Sequence, residues 1–388
     1  MKKIGIALLV VVIAFSIIFA LNTDVFSQRK KFEKFGEDER GKAWRGKKFE
    51  TSTKTFTWRM TDPWGGLVFH EITKRFADSV RAASGGRLDI KVFPTGSIVP
   101  ALEIFDATAK GTIDACHTWP GYWKGKNEAF VAFASVPFGL DAEGYNIWFY
   151  ERGGLQMLQE LYGRYGMIAF PGGNVGQEIA IHSRKKVSKI EEIKGMKMRT
   201  VGWYMDILTS MGISVTPLPG PEIYLALERG IIDAAEFSTP AANYPQGFHE
   251  IAKYAIMPGV HQPSCQFDIV INKKKWDELP DDLKVIVELA ARETDIWANA
   301  WNENLNIEGV KRMKRDGAEF VKMDDRAIIE FAKATRKYLE DLMAKHPDVK
   351  KVLTSQWELM KDFEEWRDLR GRLTPWPHDT FIKGKLTQ

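Results

Sequence analysis

Arg199 closes a short alternating run, Met196-Lys197-Met198, and a guanidinium at a strand end is suited to chemistry. Its planar fork of N–H donors matches both oxygens of a small carboxylate. Position alone leaves two readings open, a carboxylate anchor or a surface ion pair. Glu236 follows a second apolar run, Ile232-Asp233-Ala234-Ala235. Beside a bound carboxylate its charge would repel, unless a cation sat between the two. Without a cation, Glu236 is a capping or salt-bridge residue. Trp119, Tyr122 and Trp123 follow a third run, Ile113–Thr118. They could wall a pocket, although packing is the usual fate of aromatic side chains.

Catalytic signatures are missing from the sequence. It contains no G-x-S-x-G, G-x-x-x-x-G-K-[ST], H-E-x-x-H or C-x-x-C. The seven histidines include no closely spaced pair of metal-ligand type; His249 and His261 stand twelve apart. Glu191-Glu192 and Asp281-Asp282 fall at expected helix starts, where carboxylates complement the dipole. Cys116 and Cys265 fall in different expected lobes. A bridge between them would oppose movement of the lobes, so two unpaired buried thiols are expected.

The elements that would position these residues alternate between strand and helix. Thr55–Met60 reads as a strand, and a helix with Val68, Ile72, Phe76 and Val80 on one face follows. Leu88–Phe93 is a strand again. Continued alternation argues for an α/β fold with parallel sheets and crossover helices. One stretch recurs: Lys110-Gly111-Thr112-Ile113-Asp114-Ala115 matches Arg229-Gly230-Ile231-Ile232-Asp233-Ala234 at an offset of 119 residues. It is either chance recurrence of a helix–Gly–strand junction or the trace of two similar lobes facing one cleft. From Pro280 long helices take over. The first, to about Arg315, is expected to place Leu283, Val287, Ala290, Ala291, Thr294, Trp297 and Trp301 on one face. The expected organisation is lobe 1 at 51–171, with parts of 264–325 returning to it, lobe 2 at 172–263, long helices at 280–371 and a tail at 372–388.

Charge narrows the partners. The whole chain carries a formal +4, but residues 1–27 contribute +1, residues 28–48 contribute +5, and residues 49–388 sum to −2. A near-neutral globular part gives nucleic-acid binding no support. Met1-Lys2-Lys3, the apolar run Ile4–Leu21 and Val25-Phe26-Ser27 have the layout of a signal peptide over 1–27, with a polar linker at 28–50. The run is also near the lower limit for a spanning anchor. The cleaved reading, and with it a periplasmic location, is preferred because helix-breaking Asn22 and a polar stretch follow directly.

Longer strings carry a family resemblance. Lys110–Trp123 (K-G-T-I-D-A-C-H-T-W-P-G-Y-W), Val136–Leu140, Lys194–Arg199, Thr216–Phe237 and Val270–Pro280 (V-I-N-K-K-K-W-D-E-L-P) occur in order. Together they resemble the extracytoplasmic solute-binding subunits of TRAP transporters, most closely the branch that binds α-keto acids and small monocarboxylates. The resemblance implies a two-lobed, periplasmic-binding-protein-like α/β fold with hinge helices and a C-terminal helical region. It further implies a transport function with no catalytic cofactor, in which a small carboxylate is passed to TRAP membrane permease subunits. Arg199 then pairs with the ligand carboxylate. Na+ or Ca2+ would be held with the ligand by Glu236, and Phe237, in place of a common Trp, still offers a backbone carbonyl. A second acidic position of the branch is Asp268, whose shorter arm leaves metal contact open.

The strand Asn174–Glu178 departs from relatives, which place a Gln where Glu178 stands, with Gln177 beside it. Neighbouring strand residues point to opposite faces, so one of the two should enter the cleft. The expected ligand-binding set is Arg199, Gln177, Glu178, Phe237, Asn174, Trp119 and Tyr122, with Glu236, Phe237 and Asp268 as metal candidates. The competing reading is an exported enzyme using Glu178 and Glu236 as an acid–base pair. A homodimer through the C-terminal helix at Trp357, Met360, Phe363, Glu364 and Trp366 is weighed equally against packing of that helix on its own chain.

Overall fold

Alternating apolar residues make the first strand, β1 (Phe56–Thr61), whose Trp58 and Met60 turn inward. The next element, α1 (Val68–Ala83), buries Phe69, Ile72, Phe76 and Val80 in a stripe at helical spacing. Both belong to a computed structural model that describes residues 51–65, 68–218 and 220–370. The expected signal peptide, linker and tail lie outside the described residues. Along the chain follow β2 (Leu88–Phe93), α2 (Ile104–Lys110), β3 (Ala115–Thr118), β4 (Met167–Asn174), β5 (Ile181–Ser183) and β6 (Lys197–Arg199). Next come α3 (Gly202–Ser210), β7 (Ser214–Thr216), α4 (Ile223–Glu228), β8 (Ala234–Ala235), β9 (Tyr254–Met257) and β10 (Gln266–Asn272). Last are α5 (Asp281–Arg315), β11 (Glu319–Lys322), α6 (Asp325–Lys345) and α7 (Pro347–Arg370).

The strands form two sheets, ordered β2-β1-β3-β10-β4 and β7-β6-β8-β5-β9-β11. They are not purely parallel, which corrects the expectation. β10 runs against β3 and β4, and β5 runs against β8 and β9. The path of the chain explains it: β4 crosses into β5 of the other sheet, and β9 crosses back into β10. A strand that arrives by crossing, not over a helix, can lie antiparallel to its new neighbours.

The internal recurrence is structural. In each lobe a helix, α2 or α4, ends at a glycine of positive φ, Gly111 at 77° and Gly230 at 68°. A side chain would be strained there. The next backbone N–H returns to the helix, Thr112 to Ala107 O at 2.8 Å and Ile231 to Ala226 O at 2.9 Å. The aspartate three residues past each glycine then ties down the parallel neighbour. Asp114 Oδ2 accepts from Arg59 N at 2.7 Å, and Asp233 Oδ2 accepts from Lys197 N at 2.9 Å. The same junction thus aims β3 and β8, and the residues after them, at the space between the lobes.

Helix α5 joins the lobes. Its 35 residues span about 52 Å at 1.5 Å each. It packs on β4 and α1 and, farther along, on the turn Pro240–Asn243. Gly309 permits that second contact, since a Cβ there would lie 2.8 Å from the Pro240 carbonyl carbon. The buried stripe runs through Leu283, Val287, Ala291, Asp295, Ala298, Asn302 and Asn306. Trp297 and Trp301 are only half-buried and stack on each other 4.9 Å apart, so the expected face is shifted. Helix α7 packs on its own chain: Gln356 donates to Ala132 O at 2.8 Å, Trp148 Nε1 donates to Ser355 Oγ at 3.0 Å, and Phe363 is buried.

Candidate functional site between the lobes

Strand ends and crossovers converge on one small cavity of about 30 Å3. The first lobe supplies Trp64, Phe69, Trp119, Tyr122 and Phe267, and the second supplies Arg199, Val201, Glu236, Phe237 and Ser238. The crossings supply Glu178, Gln262 and Cys265. Contacts across the cleft hold the lobes together: Trp203 Nε1 donates to Glu128 Oε2 at 2.9 Å, and Lys124 pairs with Asp206.

Arg199, the last residue of β6, is 4% exposed. Its Nε donates to Leu218 O at 2.9 Å, and Nη1 donates to Glu236 O at 2.6 Å and faces Glu236 Oε2 at 3.4 Å. The Phe237 ring lies 5.7 Å from the guanidinium carbon. Among the described residues Nη2 has no partner, so its two N–H groups remain for an anion in the cavity. The orientation is set before any ligand arrives, which lowers the ordering cost of binding.

Two buried carboxylates and an imidazole lie beside it. Glu236 Oε2 accepts from Thr200 Oγ1 at 2.7 Å, and Glu178 Oε1 accepts from Ser238 Oγ at 3.1 Å. His261 Nε2 is 3.7 Å from Glu178 Oε2 and 3.9 Å from Glu236 Oε1. The His261 ring stacks on Tyr204 with centroids 4.4 Å apart. Burial pushes the Glu178 carboxyl up, and the Glu236 charge adds to that against the pull of His261. Burial would raise Glu236 as well, but His261, Arg199 and Thr200 outweigh it and hold that carboxyl low. Among the described residues, Glu178 Oε2 and both ring nitrogens of His261 are buried without a hydrogen-bond partner. Orphaned polar atoms at carboxylate and imidazole, facing one point, are what a cation site requires.

The structure separates the expected residues into two groups. Arg199, Glu178, Glu236, Phe237, Trp119 and Tyr122 line the cavity. Gln177 is exposed while Glu178 is buried, so Glu178 is the residue that enters. Asn174 is not brought to the cavity. Its Nδ2 donates to Ser264 Oγ at 2.6 Å and Gln266 Oε1 at 3.0 Å, and its Oδ1 accepts from Gly176 N, so it clasps the crossings. Asp268 is also kept away, because its neighbour Phe267 takes the cavity side and alternation turns Asp268 into the first lobe. Among the described residues neither Asp268 oxygen has a hydrogen-bond partner there. Sequence reasoning missed His261, Gln262, Ser238, Cys265, Trp64, Phe69 and Phe267. Ser238, two residues past Glu236, carried a spacing signal; the crossing residues carried none. Both cysteines are free and buried.

Two α/β lobes joined by crossing strands, with a buried arginine aimed into the cleft, define a solute receptor that closes on an anion. The profile of the bacterial extracellular solute-binding proteins, family 7 (DctP), matches residues 66–346, and the chain belongs to that family. A monocarboxylate 2-oxoacid-binding periplasmic protein of Nostoc sp. (strain PCC 7120) is 31% identical over 82% of this chain and 85% of its own. A TRAP periplasmic solute-binding protein from Colwellia psychrerythraea, solved with calcium and pyruvate, is 31% identical with a TM-score of 0.79. That match covers 81% of this chain and 97% of the other. One from Bordetella bronchiseptica RB50, a mixed-occupancy dimer with copurified calcium and picolinate, is 27% identical with a TM-score of 0.82. It covers 86% of this chain and 100% of its own. The family consists of transport receptors and not enzymes, which removes the acid–base reading of Glu178 and Glu236.

Proposed function

We propose that the protein captures a small 2-oxo or 2-hydroxy monocarboxylate together with a cation and delivers the pair to TRAP permease subunits. The carrying observation is the buried Arg199, which lines the cavity beside Glu236 and whose Nη2 has no partner among the described residues. The arginine neutralises the ligand carboxylate, and a cation screens it from Glu178 and Glu236, with the Phe237 backbone carbonyl as a further donor. The aromatic wall of Trp64, Phe69, Trp119 and Phe267 excludes water and shapes the space. The relatives that hold pyruvate or picolinate with calcium support this reading. Closure around the ligand forms the state that the permease recognises. The signal-peptide layout of residues 1–27 supports a periplasmic receptor. Exposed Trp366 and Leu369 near the end of α7 supply a contact for a homodimer.

Calorimetry tests the ligand. Pyruvate, lactate and longer 2-oxo acids are titrated with and without calcium or sodium. Tight binding is expected only with a cation, and Arg199→Ala should weaken it about 100-fold. Unchanged binding to Arg199→Ala would remove the assignment.

A further inference from the structure

We propose that Glu178, Glu236 and His261 form a three-donor site selecting a divalent transition-metal ion over sodium or calcium. The inference deepens the cation part of the reading above and rests on it. One ligand atom from each residue lies within 4.8 Å of the other two, and all three residues are buried.

The division of labour among the carboxylate oxygens carries the argument. Ser238 holds Glu178 Oε1, and Thr200 holds Glu236 Oε2. The other oxygen of each, Glu178 Oε2 and Glu236 Oε1, is the one nearest His261 Nε2. The structure thus fixes each carboxylate by one atom and leaves its second atom aimed at the same imidazole nitrogen. That is how hydrogen bonds outside a metal's ligand set orient the ligands.

The spacing argues against a simple hydrogen-bonded bridge. An imidazolium shared by two carboxylates would draw them to about 3.2 Å or less. The observed 3.7 and 3.9 Å exceed that. They fall within the separation of about 4.2 Å that two donors can have when each lies about 2.1 Å from one ion. Stacking on Tyr204 holds the ring in this attitude.

The donor chemistry sets the ion. Oxygen-only sites suit sodium, calcium and magnesium, whereas an imidazole nitrogen favours first-row transition ions. A dication there would face the cavity between Arg199 and the two glutamates. It would then suit a carboxylate that chelates through an adjacent keto, hydroxyl or ring-nitrogen atom.

Metal binding is measured first without carboxylate, on the full mature chain stripped with chelator, by competition among Zn(II), Mn(II), Ca(II) and Na+. Zn(II) or Mn(II) is expected to bind at least 10-fold tighter than Ca(II). His261→Gln should erase that preference, weakening Zn(II) and Mn(II) binding at least 10-fold more than Ca(II) binding. In the Mn(II)-loaded protein, pulsed EPR should show a nitrogen coupling that His261→Gln removes. Ca(II) binding equal to or tighter than both transition ions in the unaltered protein would overturn the inference, even should the variant fail to fold. An unchanged preference in His261→Gln would overturn it as well. Pyruvate titration of each loaded form separates the two ideas. Carboxylate binding with only calcium or sodium would sink the metal assignment alone, and transition-metal binding without carboxylate binding would sink the ligand reading alone.

Discussion

Asp268 is a carboxylate without a hydrogen-bonding partner among the described residues, buried where the first sheet meets the core. Burial pushes its carboxyl well up, with Asp295 adding to the rise against the nearby Tyr162 hydroxyl. In such a site the folded chain keeps a proton that the unfolded chain gives up, so stability falls as pH rises above the unfolded value. Asp268→Asn removes that penalty while keeping the shape. At pH 8 it should stabilise the protein, read as a higher midpoint in urea unfolding. Its carboxylate affinity should match the unaltered protein, and weaker binding would show that Asp268 reaches the site after all. At this scale the sequence was informative wherever a residue followed a recognisable strand end. Arg199, Glu236 and Trp119, which line the cavity, were singled out that way, and Phe237 through the family resemblance. Asp268 was misplaced because one residue of register reverses the face, and a bulge interrupts the pairing between Phe267 and Asp268. His261 stayed hidden because its partners, Glu178 and Glu236, are 83 and 25 residues away in the chain.

Helix α5 shows how polar groups work inside an element. Asp295 Oδ1 accepts from Gly173 N at 3.0 Å and Gln266 Nε2 at 2.7 Å, tying the helix to both strands of the crossing region. Two turns on, Asn302 Nδ2 donates to Val175 O at 2.6 Å, and Asn306 Oδ1 accepts from Ala241 N at 3.0 Å. Burial raises Asp295 to about 6, partly offset by the Gln266 and Gly173 donors. Because that value lies above the unfolded one, stability is greatest below about pH 4 for this group and declines as pH rises to about 6. The full step is at most about 3 kcal/mol. Asp295→Asn should flatten that segment of the stability–pH curve, read by thermal melts at closely spaced pH. A step of unchanged size would assign it to another group. The helix boundaries were legible from apolar spacing and from Pro280. Its inward face was not, because buried Asp295, Asn302 and Asn306 look like surface residues until their backbone partners are known. Strand direction was hidden for a similar reason: β5 and β10 are antiparallel because of where the chain crosses, which local propensity does not encode.

For the molecule as a whole, the proposed homodimer rests on the surface left after α7 has packed on its own chain. Trp366 is 55% exposed and Leu369 76%, an apolar end with no cover among the described residues. Light scattering should give twice the chain mass, falling to one chain for Trp366→Glu combined with Leu369→Glu. A single-chain mass for the unaltered protein at micromolar concentration would remove the dimer. Two lobes could be expected from the recurrent junction at Gly111 and Gly230, but the exchange of strands between them could not. That exchange bears on how the protein is made. The first sheet lacks β10, the strand between β3 and β4, until the chain has been synthesised beyond Asn272, after the segment that builds most of the second sheet. The second sheet in turn lacks its edge strand β11 until Lys322 has been made, so both sheets close late, through long-range pairings that form slowly. A chain in that condition stays threadable for longer, which would suit the export proposed above.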